Sequence, residues 1–92
     1  MKTIRVEKPT PEQLDRLKVD SWPIWEKEPS IFDWYYDEKE TCLILEGEVR
    51  VEPKGGGEAA EFKAGDLVTF PEGLGCTWKI RKAVRKHYRF GD

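Results

Sequence analysis

Gly65-Asp66-Leu67-Val68-Thr69-Phe70-Pro71-Glu72-Gly73 is the stretch on which the fold of this chain turns. Gly65 and Asp66 are turn formers, Leu67 to Phe70 is a β-prone run, and Pro71 with Gly73 bends the chain out of it. Working backwards, Ala60 to Lys63 reads as a partner strand, and Pro53-Lys54-Gly55-Gly56-Gly57 as an exposed turn. The three glycines lack the lysine-serine pair and following helix of a phosphate cradle. Glu48-Val49-Arg50-Val51-Glu52 alternates polar and apolar, and Thr41 to Leu45 is an apolar run. Glu46-Gly47 between them is the expected turn of a hairpin. Ile31 to Tyr36 is aromatic and β-prone, while Thr77 to Arg81 and Val84 to Phe90 complete the strands downstream.

The amino-terminal end differs. Thr3 to Glu7 alternates as a short strand, and Thr10-Pro11-Glu12-Gln13 then opens a helix. Thr10 is the N-cap, Pro11 the first helical residue and Gln13 the partner in a capping box. Leu14 and Leu17 share one face, and Pro23 is the latest end. The pattern predicts an all-β domain of roughly eight short strands, a sandwich or barrel, with one short amino-terminal helix.

At 92 residues the chain is one domain, 1–92. A domain of this size buries only about 60–65% of its unfolded surface, so the core is thin. Hydrophobic residues at 38% and four tryptophans are enough for a globule and argue against disorder. Charged residues reach 37%, yet both signs are interspersed and the net charge is −2, which argues against nucleic acid as a partner. Such dense mixed charge fits thermophilic ion-pair networks and an ordinary solvated surface equally well. No apolar run suits a signal peptide or a membrane span, so the expected location is the cytoplasm, with no membrane partner. Cys42 and Cys76 have no CxxC spacing and are expected to be free thiols.

Two spacings resemble the cupin family. Gly65 to Gly73 fits the first half of its second motif (Gly, five residues, Pro, one residue, Gly), and Glu40 to Gly47 fits the Glu-x6-Gly that ends its first motif. Together with Trp78 and Arg85-Lys86-His87-Tyr88, they are similar to the small single-domain cupins related to the ureidoglycine aminohydrolase cupin domain. The likeness runs from about Trp25 to Tyr88 and implies a small jelly-roll β-barrel around one pocket. Cupins usually hold a divalent metal with a His-x-His pair, a glutamate and a third histidine. Here the resemblance puts Trp34 and Tyr36 at the pair (Asp33 and Tyr35 with a longer spacer), Cys76 at the third histidine and Ile80 at the motif's asparagine; only Glu40 keeps its identity. If a metal binds, Glu40, Cys76 and Tyr36 are its donors, an uncommon mixture of hard and soft. The expectation is no tightly held metal, with a weakly bound divalent ion as the alternative.

Each candidate has a plain counterpart. Glu40 inside a barrel suits a general acid or base, or it lies solvated at its strand's start. Cys76 follows a tight Gly73-Leu74-Gly75 loop and is a candidate nucleophile if a positive charge such as Lys86 lies beside it; otherwise it is a small buried hydrophobe. For Lys86 the resemblance adds a lysine before the aromatic of the last strand. Trp34, Tyr36, Trp78 and Tyr88 are the candidate ligand-binding aromatics, with Trp22 and Trp25 assigned to packing or an interface. Cys42 is assigned to packing. The basic stretch Arg81, Lys82, Arg85, Lys86 and Arg89 is a solvated face, from which one or two members meet an anionic substrate.

The functional expectation is an enzyme acting on a small polar metabolite, with Glu40, Cys76 and Lys86 around the reacting centre. The resemblance implies hydrolysis or amine release. The alternative is a non-catalytic small-molecule binding or sensory module without a metal. A third option is a structural homodimer, whose interface would support the thin core.

Overall fold

The computed structural model describes residues 3–91. Along the chain lie β1 (Arg5–Glu7), α1 (Pro11–Leu17), a 3-10 turn (Val19–Ser21), β2 (Ile24–Lys27), β3 (Ser30–Tyr35), β4 (Glu40–Pro53), β5 (Ala60–Lys63), β6 (Leu67–Phe70) and β7 (Gly75–Phe90). All strand pairs are antiparallel. The long strands β4 and β7 pair along their length, and each shares its other edge between two short strands. β4 pairs first with β6 and then with β5, while β7 pairs first with β3 and then with β2. β1 closes onto β6. This is the small cupin β-barrel with one short helix.

Two expected pairs of strands are thus single strands. Glu46-Gly47 is not a hairpin turn: β4 runs straight through it, and the β4–β7 register slips between Ile44 and Val49. Such slips are β-bulges, which add a residue and re-aim the side chains beyond it. Glu40, Cys42 and Ile44 are buried on even positions before the bulge, whereas Val49 and Val51 are buried on odd positions after it. Gly47 is required there. Its φ is 110°, and a Cβ would lie 2.6 Å from the Ala83 carbonyl oxygen and 2.8 Å from Val84 Cα. Likewise, the strands expected at Thr77–Arg81 and Val84–Phe90 are the two halves of β7.

The main core lies inside the barrel and is built from these alternating residues with Phe62, Val68, Phe70, Cys76, Trp78 and Ile80. A second, smaller cluster explains why Thr41 to Leu45 is apolar on both faces. Leu43 and Leu67 point outward, and Val19 and Trp22 cover them, with Leu14 and Leu17 alongside. A strand covered on both faces loses its polar alternation. The helix is held by its cap: the Gln13 amide donates to the Thr10 hydroxyl oxygen at 3.2 Å. At the β5–β6 turn, Asp66 accepts from the Lys63 amide at 3.0 Å and from Lys8 Nζ at 3.1 Å, which gives that buried carboxylate its partners. No helix among the described residues is long and apolar enough to cross a membrane.

Candidate functional site

The side chains that alternate inward along β7 set one side of the pocket. Trp78, Lys86 and Tyr88 share a parity, and Phe90 continues it to the rim. β3 contributes Phe32 and Trp34 on its inward positions, and Tyr36 follows just past its end. β2 pairs with the far half of β7 so that Trp25 lies opposite Lys86, and Glu40 stands at the start of β4. These residues enclose an open-mouthed cavity of about 250 Å³. Its walls are aromatic, and among the described residues its only charged side chains are Glu40 and Lys86.

Those two meet. Lys86 Nζ donates to Glu40 Oε2 at 2.6 Å, and both side chains are almost wholly buried. The ammonium also lies over the rings of Trp78 at 4.8 Å, Trp25 at 5.0 Å and Phe70 at 5.9 Å. Ring faces are negative and attract a cation, most strongly where water is excluded. The pair is therefore a compensated charge dyad set into an aromatic floor.

Tyr36 and Trp78 form the rigid wall beside it. Trp78 Nε1 donates to the Tyr36 hydroxyl oxygen at 3.1 Å, and the Tyr36 ring stacks on Phe70 with centroids 4.6 Å apart. Burial, and then the nearby Glu40 charge, pushes the Tyr36 phenol far above its usual range. Trp34 meets Tyr36 edge to face at 6.5 Å and is half exposed at the mouth.

Cys76 does not join this group. It faces the core, is fully buried, and its thiol donates to the Trp34 carbonyl at 3.7 Å. It does not line the cavity. Burial pushes its pKa up to about 11, against a lesser pull from Lys54. The expected convergence of Glu40, Cys76 and Lys86 thus reduces to Glu40 with Lys86, because a thiolate needs an exposed, electropositive setting. Cys42 is also fully buried, and burial pushes its thiol up to about 12.

The divalent metal implied by the cupin fold does not fit these residues. Glu40 is engaged by Lys86, Tyr36 is a protonated phenol already accepting a hydrogen bond, Cys76 is a thiol, and the Trp34 indole has no free lone pair to offer. Among the described residues, no cluster of three or more His, Cys, Asp and Glu side chains could hold a metal ion. His87 faces away from the pocket, with Nδ1 2.9 Å from the Trp22 carbonyl oxygen.

Trp25, Phe32 and Phe90 line the cavity without having been expected there. Phe32 shares strand parity with Trp34, and Phe90 shares it with Lys86, so alternation alone points to both. Trp25 has no such signal, because its place depends on β2 pairing with the far half of β7. Trp22 packs under the helix, as expected.

Among solved structures, a DUF861-family protein from Thermotoga maritima is 56% identical, covering 97% of this chain and 100% of that one with a TM-score of 0.94. A putative ethanolamine utilization protein Q from Salmonella typhimurium is 28% identical over 73% of this chain, with a TM-score of 0.64. This chain covers 53% of that protein's length. The EutQ protein of Clostridium difficile shares the fold, with a TM-score of 0.66 at 16% identity over 97% of this chain and 68% of that one. No curated protein matches the chain. The family model described as the EutQ-like cupin domain matches residues 14–88, which include every residue of the dyad and its aromatic walls except Phe90. The chain belongs to the EutQ-like cupin domain family.

Proposed function

We propose that this cupin works without a metal, as a pocket for a small amphipathic molecule. The aromatic walls take up the apolar body, and the Glu40–Lys86 dyad at the floor engages the polar group. The observation that carries this is the 2.6 Å bond between Lys86 and Glu40 beside open cavity space. Burying an ion pair is a poor route to stability, since an apolar pair of similar volume is often as good or better. A buried pair that also faces a concave aromatic pocket has the makeup of a ligand site. Trp34, Tyr36, Trp78 and Tyr88 keep the ligand-binding role expected for them, joined by Trp25, Phe32 and Phe90. Cys76 is not part of the proposed site.

Proton-transfer catalysis is the second reading, favoured by the presence of one proton acceptor and one proton donor in direct contact. The hydrolysis or amine release implied by the ureidoglycine aminohydrolase resemblance would then use Glu40 as base and Lys86 as acid.

Three of the pocket's side chains are tryptophans, so intrinsic fluorescence reports occupancy directly. Titrating a panel of small metabolites should give a saturable change that is unaltered by a chelator, and mass spectrometry of the same samples separates binding from turnover. A response that requires added metal would overturn the metal-free reading. No response across the panel would count against the pocket itself.

A further inference from the structure

We infer that the ligand of this pocket is an uncharged flat molecule with a hydrogen-bond donor and acceptor side by side on one edge, as in a carboxamide or lactam, and that the dyad rejects ions of either sign. This deepens the proposed binding function and rests on it.

The first ground is charge balance. Glu40 and Lys86 cancel at 2.6 Å, and their surroundings are ring faces rather than water. In such a setting a third, unpaired charge is poorly screened and has lost its hydration. A ligand carboxylate on Lys86 would bring a second negative charge against the buried Glu40. A ligand ammonium on Glu40 would bring a second positive charge against Lys86.

The second ground is that the aromatic floor is already in use. Aromatic cages commonly bind cations through their ring faces. Here Trp78 and Trp25 already face the Lys86 ammonium at 4.8 and 5.0 Å, so two of the three tryptophan rings in the pocket are already engaged by a cation.

The third ground is the unused hydrogen-bonding capacity of the dyad. An ammonium has three donors and Lys86 spends one on Glu40, while an ionised carboxylate has about four acceptor sites. An N–H and a C=O on one amide lie about 2.2 Å apart from standard bond lengths and angles. That spacing is close to the 2.6 Å between Glu40 Oε2 and Lys86 Nζ. An amide edge therefore gives its N–H to Glu40 and accepts from Lys86, leaving the internal bond intact. Its flat body then lies against the aromatic walls of a cavity of about 250 Å³.

Benzamide, benzoate and benzamidinium share one shape and differ in charge, so they isolate this property. We would follow the tryptophan indole NMR signals of the wild-type protein during titration with each, and with benzene as an apolar control. Benzamide should bind, with the two ions weaker by roughly tenfold or more. Benzoate or benzamidinium binding as tightly as benzamide would overturn the inference. Benzene alone moving the signals would overturn it while sparing the pocket, and silence from all four would sink the pocket reading as well. Substitution of the dyad then inverts the selectivity. Glu40→Gln leaves the ammonium unbalanced and should favour benzoate, and Lys86→Met leaves the carboxylate and should favour benzamidinium. Unchanged preference in a folded variant would also contradict the inference, and the wild-type panel decides the matter where a variant fails to fold.

Discussion

Lys86 carries its charge among three aromatic rings because Glu40 meets it, and each depends on the other. Removing one partner leaves an uncompensated buried charge, whereas removing both does not. Lys86→Met should therefore destabilise the fold by about 3–5 kcal/mol, and the Glu40→Gln/Lys86→Met double variant should lose less than the sum of the singles. Chemical denaturation of the four proteins checks this, and additive losses would contradict it. The thiols give a second prediction. Cys42 and Cys76 are pushed up to about 12 and about 11 from an ordinary value of 9.0. Their folded forms hold the proton longer than their unfolded forms, so their contribution is complete below about pH 9 and is lost as pH rises towards those values. Replacing both with Ala should flatten the alkaline fall in stability, read from denaturant midpoints between neutral and strongly alkaline pH. In the native protein neither thiol should react with a disulfide reagent near pH 8, although both should react at once after unfolding. At this scale Glu40 and Lys86 were legible one at a time, Glu40 through its motif spacing and Lys86 through the family resemblance. Their bond was not, because it depends on a long side chain reaching along the barrel between strands forty-six residues apart in sequence.

At the scale of elements, the bulge in β4 does what a hairpin was expected to do. The apolar run before Glu46-Gly47 and the clean alternation after it were plain in the sequence. A turn and a bulge both favour glycine and both reset alternation, so the local pattern does not separate them. The separation comes from β7, which pairs with both halves of β4. Gly47→Ala should cost more than about 2 kcal/mol, since it adds a clash with the β7 backbone to an unfavourable φ. Gly65 has a similar φ of 97° and open space around the added Cβ, so Gly65→Ala measures the conformational cost alone. Equal losses in urea denaturation would show that the close approach of the two long strands carries no weight. The short strands β5 and β6 were read at their observed bounds, because each is flanked by strong turn residues.

At the scale of the whole molecule, the mixed charge seen in the sequence is organised on the outer face of β4, β5 and β7. Arg50 bridges Glu52 and Glu61, Lys79 joins Glu52, and Arg81 joins Glu61. Hydrogen bonds from Arg50 and then Lys79 hold the Glu52 carboxyl below its ordinary value of 4.5, and Lys82 does the same for Glu48. Their contribution is present above about pH 4.5 and disappears as pH falls through the lower folded values. Exposed pairs are also screened by salt. Thermal midpoints should fall from pH 7 to pH 3, and the fall should shrink in high salt; an acid loss equal at both salt levels would count against the network. The central claim remains the dyad as a metal-free floor for ligand. Heteronuclear NMR of the lysine ammonium groups tests it most directly, since Lys86 is the lysine buried among the described residues. With chelator present, one slowly exchanging ammonium signal should be visible, should vanish in Lys86→Met, and should shift when benzamide fills the pocket. A signal indifferent to ligand, together with manganese broadening the pocket resonances, would contradict the account.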